Sequence, residues 1–307
     1  MAELRFEFTA PWFSFHAWPW FMQALPPMLV TALELAAHRN DPTWVVFDCR
    51  HDLVDHGKGE RLYREGHVPG AQFAPVETAL SGVKNGRNGR HPLPVPGVLG
   101  AFLARHGVTP ESTLVAYDDA GGLYSARLWW LVRWIGLRRV ALLDGGWQKW
   151  VAEGLDIATE VAVPRPAPVW SVNADPSLVW SASDVMRQLS DPAFGLIDAR
   201  AEERYRGEME PIDPVAGHIP GARNRFFKEN LNADLTFRPA AEIKAEFTAL
   251  IGTRDPTLVG HQCGSGITAC ANLFAMEYAG LAGSKLYAGS WSEWVSDPAR
   301  PVAKGAT

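Results

Sequence analysis

Cysteine is scarce in this chain, which has three among its 307 residues. No two of them form a C-x-x-C pair, and no spacing of cysteine and histidine is typical of a zinc site. So small and odd a number excludes a disulfide scaffold and favours a reducing compartment. We therefore expect a cytoplasmic protein without a bound metal ion or other cofactor.

Positively charged residues are also few: the chain has 29 lysines and arginines against 34 aspartates and glutamates, and its net charge is -5. Such a chain lacks the broad basic surface of nucleic-acid-binding proteins, so no nucleic-acid partner is expected. Nor is there an uninterrupted apolar run that could cross a membrane, since four prolines, a histidine and a glutamine break up the aromatic cluster near the N-terminus. We predict that residues 1–27 form an aromatic extension that packs on the protein or is partly disordered, and we expect no membrane partner.

The sequence does contain an internal repeat. Four segments of the first half recur in the same order in the second half, and the matching pairs are 44–50 with 194–200, 66–71 with 217–222, 113–126 with 257–270, and 142–150 with 286–294. The last two pairs share a single offset of 144 residues. The repeat predicts two domains of one fold, 28–160 and 171–307, joined by the proline-rich linker 161–170.

Each half alternates short runs of valine, leucine and isoleucine with segments of helical periodicity. The predicted strands are 43–48, 113–118 and 139–144 in the first half and 194–198, 257–261 and 284–289 in the second. Helices are predicted over 125–136 and 268–280, because each run ends at a glycine, Gly136 or Gly280, that suits the left-handed position after a helix. Strands that alternate with helices are typical of an α/β fold in which helices flank a parallel sheet.

A candidate nucleophile, Cys263, follows the predicted strand 257–261 in the segment CGSGIT. Gly264 and Gly266 allow backbone conformations that turn successive N–H groups inward, and the helix expected to begin near Thr268 adds positive partial charge. Such a cradle stabilises an anion on sulfur, and this favours the nucleophilic thiolate. We therefore predict that Cys263 reacts.

The other cysteines and the repeated polar residues favour structural roles. Cys49 lies at the end of an apolar strand and Cys270 lies in a helix, so both are predicted to be core residues. Alignment of the repeats places Asp119 opposite Cys263, and the first domain is therefore expected to be non-catalytic. The tryptophan-rich helix 125–136 is predicted to pack in the core or between the domains. Residues that recur in both halves are predicted to form turns and strand-end ion pairs, and they are His67, His218, Asp48, Arg50, Asp198 and Arg200.

Taken together, these features resemble the two-domain rhodanese superfamily of sulfurtransferases. The resemblance is carried by the duplicated unit, the D-x-R at both strand ends, the two H-[VI]-P-G-A motifs and the loop CGSGITA, and it covers about residues 28–300. The loop is most similar to that of the 3-mercaptopyruvate sulfurtransferases. The resemblance implies two tandem rhodanese-like domains, a cysteine that carries sulfur as a persulfide, a small-molecule sulfur donor, and an acceptor such as cyanide, a thiol or a thioredoxin-like protein.

The same resemblance assigns roles to individual residues. It makes Cys263 the nucleophile and Ser265 the serine beside it. His91 in RHPLP and Glu77 match the histidine and the acidic residue of the mercaptopyruvate enzymes. Arg204 matches an arginine that binds the substrate carboxylate, whereas a second arginine of those enzymes is replaced here by Ile212. The loop residues expected to bind substrate with Arg204 are Gly264, Gly266, Ile267 and Thr268.

Three other functions compete with this interpretation. A cysteine-dependent phosphatase also needs an arginine at the end of its anion-binding loop, and CGSGITAC has none. A non-enzymatic persulfide carrier or redox sensor has no use for the proton relay that Ser265, His91 and Glu77 imply. Thiosulfate is a dianion best held by cations beside the thiolate, whereas this loop offers Gly264 and Ser265. We therefore predict transfer from 3-mercaptopyruvate, with a thiosulfate sulfurtransferase as the alternative and the carrier or sensor as the second alternative.

Overall fold

The structure is a computed structural model that describes residues 25–191 and 193–306. Most of the aromatic extension predicted for residues 1–27 therefore lies outside the described residues. Within them, no helix has the length and apolar character needed to span a membrane. Residues 161–170, predicted to be a linker, contain neither helix nor strand.

Each domain contains a five-stranded sheet in which every pair of neighbouring strands is parallel. The strands are β1 (Leu29–Val30), β2 (Trp44–Asp48), β3 (Gln72–Phe73), β4 (Thr113–Tyr117), β5 (Val140–Leu143), β6 (Val179–Trp180), β7 (Gly195–Asp198), β8 (Arg223–Asn224), β9 (Val259–Gln262) and β10 (Lys285–Tyr287). The first sheet has the order β1-β5-β4-β2-β3 and the second has the order β6-β10-β9-β7-β8. The two orders become identical when five is subtracted from each strand number of the second sheet. This confirms the predicted duplication and the α/β fold.

Ten α-helices surround the two sheets in the described part of the chain. They are α1 (Ala32–Ala37), α2 (Lys58–Glu65), α3 (Pro96–Arg105), α4 (Ser125–Trp134), α5 (Gly146–Ala152), α6 (Ala182–Gln188), α7 (Glu202–Arg206), α8 (Ala240–Ile251), α9 (Ala269–Tyr278) and α10 (Ser290–Trp294). The predicted helices correspond to α4 and α9. The glycines that follow them, Gly136 and Gly280, have φ angles of 97° and 78°, as expected after a helix end.

Helices α4 and α9 hold the two domains together. Nine of the ten residues of α4 are buried, because one side of the helix faces its own sheet and another faces the second domain. The ring of Trp129 on α4 meets Phe274 on α9 edge to face, with the ring centroids 5.1 Å apart. Residues of both domains thus share one continuous core, and the packing predicted for the tryptophan-rich helix is confirmed.

The D-x-R motifs form the same ion pair in both domains. A guanidinium nitrogen of Arg50 lies 2.6 Å from the Asp48 carboxylate, and Arg200 repeats this distance to Asp198. Each arginine also donates to the carbonyl oxygen of the glycine that opens its H-[VI]-P-G-A turn. Because all four side chains are buried, these contacts satisfy charges that would otherwise be costly, and the predicted structural role is confirmed.

The histidines of the two turns are buried and equivalent as well. His67 donates through Nδ1 to the carbonyl oxygen of Tyr63, and His218 donates to that of Tyr205. Each imidazole also stacks on the ring of the same tyrosine. Their presence in both domains agrees with the structural role predicted for them.

Candidate active site

The loop after β9 encloses the sulfur of Cys263. The backbone N–H groups of Ser265 and Gly266 point at Sγ, with N–S distances of 3.4 and 3.1 Å. The side chain is almost fully enclosed, since only 2% of the residue is exposed. Two convergent N–H groups in a water-poor site stabilise negative charge on sulfur.

Gly266 makes this loop conformation accessible. Its φ angle is 81°, and a Cβ there would collide with the carbonyl oxygen of Ala288. The chain then enters α9 at Ala269, directly after Thr268, where the sequence predicts the helix to begin. The side chain of Ile267 packs in the shared core, so any substrate contact from this residue can involve only its backbone.

A chain of hydrogen bonds leads from Ser265 into the first domain. The Ser265 hydroxyl lies 2.8 Å from Nδ1 of His91, and Nε2 of His91 lies 2.8 Å from the Glu77 carboxylate. Because the ionised carboxylate only accepts, Nε2 donates to it, and Nδ1 is left to accept from the hydroxyl. The structure thus brings together, across the domain boundary, the three residues that the sequence proposed as a relay.

The charge states along this chain follow from burial and from Lys84. Burial lowers the pKa of His91 to about 4, although the Glu77 carboxylate opposes the shift. Burial also raises the pKa of Glu77, but hydrogen bonds from Lys84 and His91 outweigh it, and the pKa falls to about 2. At pH 7 the imidazole is therefore neutral and the carboxylate is charged.

Two arginines lie over Gly264 at the mouth of the loop. A Cβ placed on this glycine would be 2.8 Å from Nη2 of Arg90 and 3.5 Å from both terminal nitrogens of Arg204. Arg204 donates to Glu210 at 2.6 Å and to Asp213 at 3.3 Å, and Arg90 also pairs with Asp213. Among the described residues, no hydrogen-bond acceptor contacts Nη2 of Arg90 or Nη1 of Arg204. Both guanidinium groups are held in place and keep donors for an anion.

Sequence reasoning identified Arg204 but missed Arg90. The resemblance places the second substrate-binding arginine on the same segment as Arg204, where this chain has Ile212, a residue that is 46% exposed. The first domain supplies a guanidinium instead, and its partner Asp213 is the residue next to Ile212. The only sign of Arg90 in the sequence is its position directly before His91, a residue already assigned to the site. The loop that has no cation of its own therefore has two beside it.

A third arginine, Arg127 on α4, lies behind the loop and was also missed. It is fully buried and donates to the carbonyl oxygens of Leu80, His91 and Gly266 at 3.3, 3.0 and 3.2 Å. Burial lowers its pKa, but a guanidinium stays charged in proteins, and its charge interacts first with the sulfur of Cys270 and less with that of Cys263. Arg127 thus ties the histidine loop of one domain to the cysteine loop of the other.

Among the described residues, no backbone N–H group donates to the sulfur of either of the other two cysteines. Cys49 and Cys270 are fully buried in the shared core, and no residue described in the structure forms a disulfide with them. Burial raises the pKa of Cys270 to about 12 and that of Cys49 well above its ordinary value. Both stay thiols at neutral pH, as expected of core residues.

The equivalent loop of the first domain encloses the side-chain carboxylate of Asp118. The Asp118 carboxylate accepts backbone N–H groups from Ala120, Gly122, Tyr124 and Ser125 at 2.8 to 3.0 Å. Asp119, the counterpart of Cys263 in the aligned repeats, is not the residue that the loop encloses. This loop therefore repeats the shape of the cysteine loop around a carboxylate supplied one residue earlier.

Comparison with known proteins shows the family of this chain. The chain matches the family model of the rhodanese-like domain twice, over residues 31–153 and 181–297. It is 47% identical, over 90% of its length and 98% of the relative's, to a Pseudomonas aeruginosa protein described as a probable 3-mercaptopyruvate sulfurtransferase. It is 32% identical to the thiosulfate sulfurtransferase of Mus musculus, over 89% of this chain and 93% of that one.

A solved structure shows the same architecture. The crystal structure of SseA from Escherichia coli, described as a 3-mercaptopyruvate sulfotransferase, superposes with a TM-score of 0.75 at 29% sequence identity. The match covers 87% of this chain and 99% of that one. With two matched domains and relatives along nearly its whole length, this chain belongs to the rhodanese family.

Proposed function

We propose that this chain transfers a sulfur atom from 3-mercaptopyruvate to a thiophilic acceptor through a persulfide on Cys263. The observation that carries the proposal is the hydrogen-bonded chain from Ser265 through His91 to Glu77, which ends at a hydroxyl beside the thiol. A donor that leaves as an enolate needs a proton, whereas thiosulfate leaves as sulfite and needs none. A relay at this position therefore favours the mercaptopyruvate donor.

The step balances with the residues present. The Cys263 thiolate attacks the donor sulfur, a sulfur–sulfur bond forms, the carbon–sulfur bond breaks, and its electron pair becomes the enolate of pyruvate. The proton of the donor thiol passes through Ser265 to Nδ1 of His91, which is neutral at pH 7; because its pKa is lowered to about 4, the imidazolium is short-lived and readily gives the proton up again. Glu77 stabilises the imidazolium until the proton is delivered to the enolate carbon. Cys263 is left with the persulfide.

The arginines at the mouth supply the binding energy for the donor. Arg204 and Arg90 present planar donors beside Gly264, and this arrangement suits the carboxylate of mercaptopyruvate. The N–H groups of Ser265 and Gly266 that point at Sγ are positioned to stabilise the charge of a thiolate or persulfide. The acceptor that then removes the sulfur is a small thiol, a thioredoxin-like protein or cyanide. Three cysteines without disulfides suit a reducing compartment such as the cytoplasm.

Thiosulfate is the second candidate donor, because two guanidinium groups at the mouth suit a dianion as well. The variant Ser265→Ala separates the two donors. We expect its rate with mercaptopyruvate to fall by at least about tenfold, while its rate with thiosulfate stays within a few-fold. Ser284→Ala, which removes a buried hydroxyl that contacts Met276 instead, is the matched control. Equal losses with both donors would show that the Ser265 hydroxyl only shapes the loop.

The persulfide is tested on the protein itself. Mass spectrometry of donor-treated protein should show one added sulfur atom on Cys263 and none in Cys263→Ser. Sulfur found on Cys49 or Cys270 would contradict the assignment of the nucleophile. A protein that loads one sulfur but turns over no donor in the presence of a thiol acceptor would be a carrier rather than an enzyme.

A further inference from the structure

Two histidines other than His91 converge on the carboxylate of Glu77. Nε2 of His51 lies 3.7 Å from Oε1 of Glu77, and Nε2 of His56 lies 3.9 Å from the same oxygen. One ligand atom from each of the three residues falls within 4.8 Å of the others. The imidazole rings lie side by side, with centroids 5.5 Å apart and planes inclined by 31°. Two imidazoles and one carboxylate form a ligand set that zinc uses in proteins.

A second observation shows that the cluster lacks a partner. Nε2 of His51 is buried without any hydrogen-bond partner among the described residues, and the side chain is only 3% exposed. Nε2 of His67, Nε2 of His218 and Nδ1 of His261 are also buried without a partner, but of these four nitrogens only one has a carboxylate oxygen within 4.0 Å among the described residues, and it is Nε2 of His51. This nitrogen faces Glu77 at a distance too long for a hydrogen bond and suited to a shared ion. His56 is half exposed and donates to the carbonyl oxygen of Leu53 at 3.2 Å, a contact that it can exchange for a metal bond.

The distances between the ligand atoms of His51, His56 and Glu77 are close to those around a tetrahedral metal ion, so small side-chain movements would complete the site. Bonds of about 2.0–2.2 Å from zinc to nitrogen and oxygen place neighbouring ligand atoms about 3.4 Å apart. The two histidine–glutamate separations of 3.7 and 3.9 Å exceed this by about half an ångström or less, and the ligand nitrogens of the two histidines lie within 4.8 Å of each other. A cavity of about 730 Å³ borders His51, His56 and Glu77 and gives access to an ion and to a water molecule as fourth ligand. We propose that His51, His56 and Glu77 bind a divalent transition-metal ion of the zinc type.

No local sequence motif encodes this site. His51 follows the end of β2 and His56 precedes α2, whereas Glu77 lies after β3 in the same domain. The three residues meet because β2 and β3 are parallel neighbours whose carboxyl ends share one edge of the sheet. This explains why the expectation of no metal, drawn from cysteine and histidine spacing alone, left the possibility unseen.

Metal binding would act on the relay through Glu77. The oxygen that the histidines approach is the one that accepts from Nε2 of His91 at 2.8 Å. A cation on this oxygen weakens its hold on the imidazolium, so zinc should lower turnover of mercaptopyruvate without contacting Cys263. This consequence rests on the proposed function, whereas binding of the ion does not. Lys84, whose ammonium lies 2.7 Å from the other carboxylate oxygen, opposes the bound cation, and Lys84→Gln should therefore bind it severalfold more tightly.

The binding test uses Co²⁺ as a visible probe. Full-length Cys263→Ser protein, stripped of metal with a chelator, is titrated with Co²⁺, and Zn²⁺ is then added to displace it. We expect one tetrahedral Co²⁺ per chain, and we expect His56→Ala and His51→Gln each to weaken binding by at least about tenfold. His106→Ala is the matched control, because His106 lines the same cavity outside the cluster. Absence of stoichiometric binding, or binding that both variants leave unchanged, would overturn the site.

The activity arm separates the two proposals. Zn²⁺ should lower turnover of mercaptopyruvate by the Cys263 enzyme, and His56→Ala should keep the basal rate and be less sensitive to Zn²⁺. Co²⁺ binding that depends on His56, combined with unchanged turnover, would establish the ion but overturn the role of Glu77 in the relay. Inhibition that His56→Ala does not relieve would place the inhibitory ion elsewhere, for example on the Cys263 thiolate, and would overturn the coupling.

Discussion

Replacement of Arg90 by glutamine is the most informative perturbation of the mouth of the site. Arg90 belongs to the first domain, yet its Nη2 faces Gly264 in the cysteine loop of the second. If this guanidinium holds the donor carboxylate together with Arg204, then its removal must weaken donor binding while the thiol and the relay stay intact. Glutamine keeps a polar side chain of similar reach but removes the charge and the planar fork.

The expected magnitude follows from the contact that is lost. A hydrogen bond to a charged group contributes about 1.5–3 kcal/mol, and a tenfold change in rate corresponds to about 1.4 kcal/mol. The kcat/KM for mercaptopyruvate should therefore fall by about 10-fold to 150-fold. Most of the loss should be in KM, because the carboxylate is bound equally in the ground state and the transition state.

One neighbour complicates the comparison. Asp213 is buried and pairs with both Arg90 and Arg204, so Arg90→Gln frees it to hold Arg204 alone. The double variant with Asp213→Asn removes this competing charge and should recover part of the loss if Arg204 still binds the donor. Steady-state kinetics with varied mercaptopyruvate measures both variants. Arg87→Gln is the control, because Arg87 is an exposed arginine of the same loop. A kcat/KM for Arg90→Gln within twofold of wild type would refute the assignment.

Three further substitutions test the packing behind the site. Gly266→Ala should destabilise the loop by about 1–3 kcal/mol and abolish turnover, because the added Cβ would collide with the Ala288 carbonyl oxygen. Gly280→Ala is the control, since Gly280 also has a positive φ but has open space around it, and this variant should keep its activity. Thermal melts and rate assays measure both variants. Arg127→Met should cost at least about 2 kcal/mol in urea unfolding, since it leaves several buried carbonyl groups without a donor, and a smaller loss would show that water replaces the guanidinium. Trp129→Ala should cost about 3–5 kcal/mol and uncouple the unfolding of the two domains in calorimetry, whereas one undivided transition would contradict a core shared through α4 and α9.

The central strands were predictable because most of them are short apolar runs that end at a polar residue. The sequence predicted all six, including β4 and β9 at the middle of the sheets. It missed β1, β3, β6 and β8, which have two residues each and form the edges. A strand of two residues has no alternation that a pattern can show, and only pairing with a neighbour defines it.

The candidate functional residues also fall into two groups: some can be recognised from their own segment of the sequence, and others only from the tertiary structure. Cys263 was identified from its own surroundings, since the glycines and the helix start beside it are local. His91 and Glu77 came only from the resemblance to a family, because nothing in their own segments distinguishes them from solvated loop residues. Arg127 gave no signal as a site residue, and the only signal of Arg90 was its place directly before His91. Each becomes part of the site only when two domains that are distant in sequence pack together.

The carboxylate of Asp118 inside the first-domain loop makes the two halves of this molecule chemically unequal. The first loop closes around an ion that is built into the chain, so its shape is independent of any reaction. The second loop closes around the sulfur of Cys263, which in the proposed reaction alternates between a thiolate and a longer persulfide. The contents of the first loop are therefore fixed, whereas those of the second loop would change in each cycle of the proposed reaction. Arg127 donates both to the cysteine loop, at Gly266, and to His91 of the first domain, so the first domain would restrain the cysteine loop while its sulfur changes in the proposed reaction.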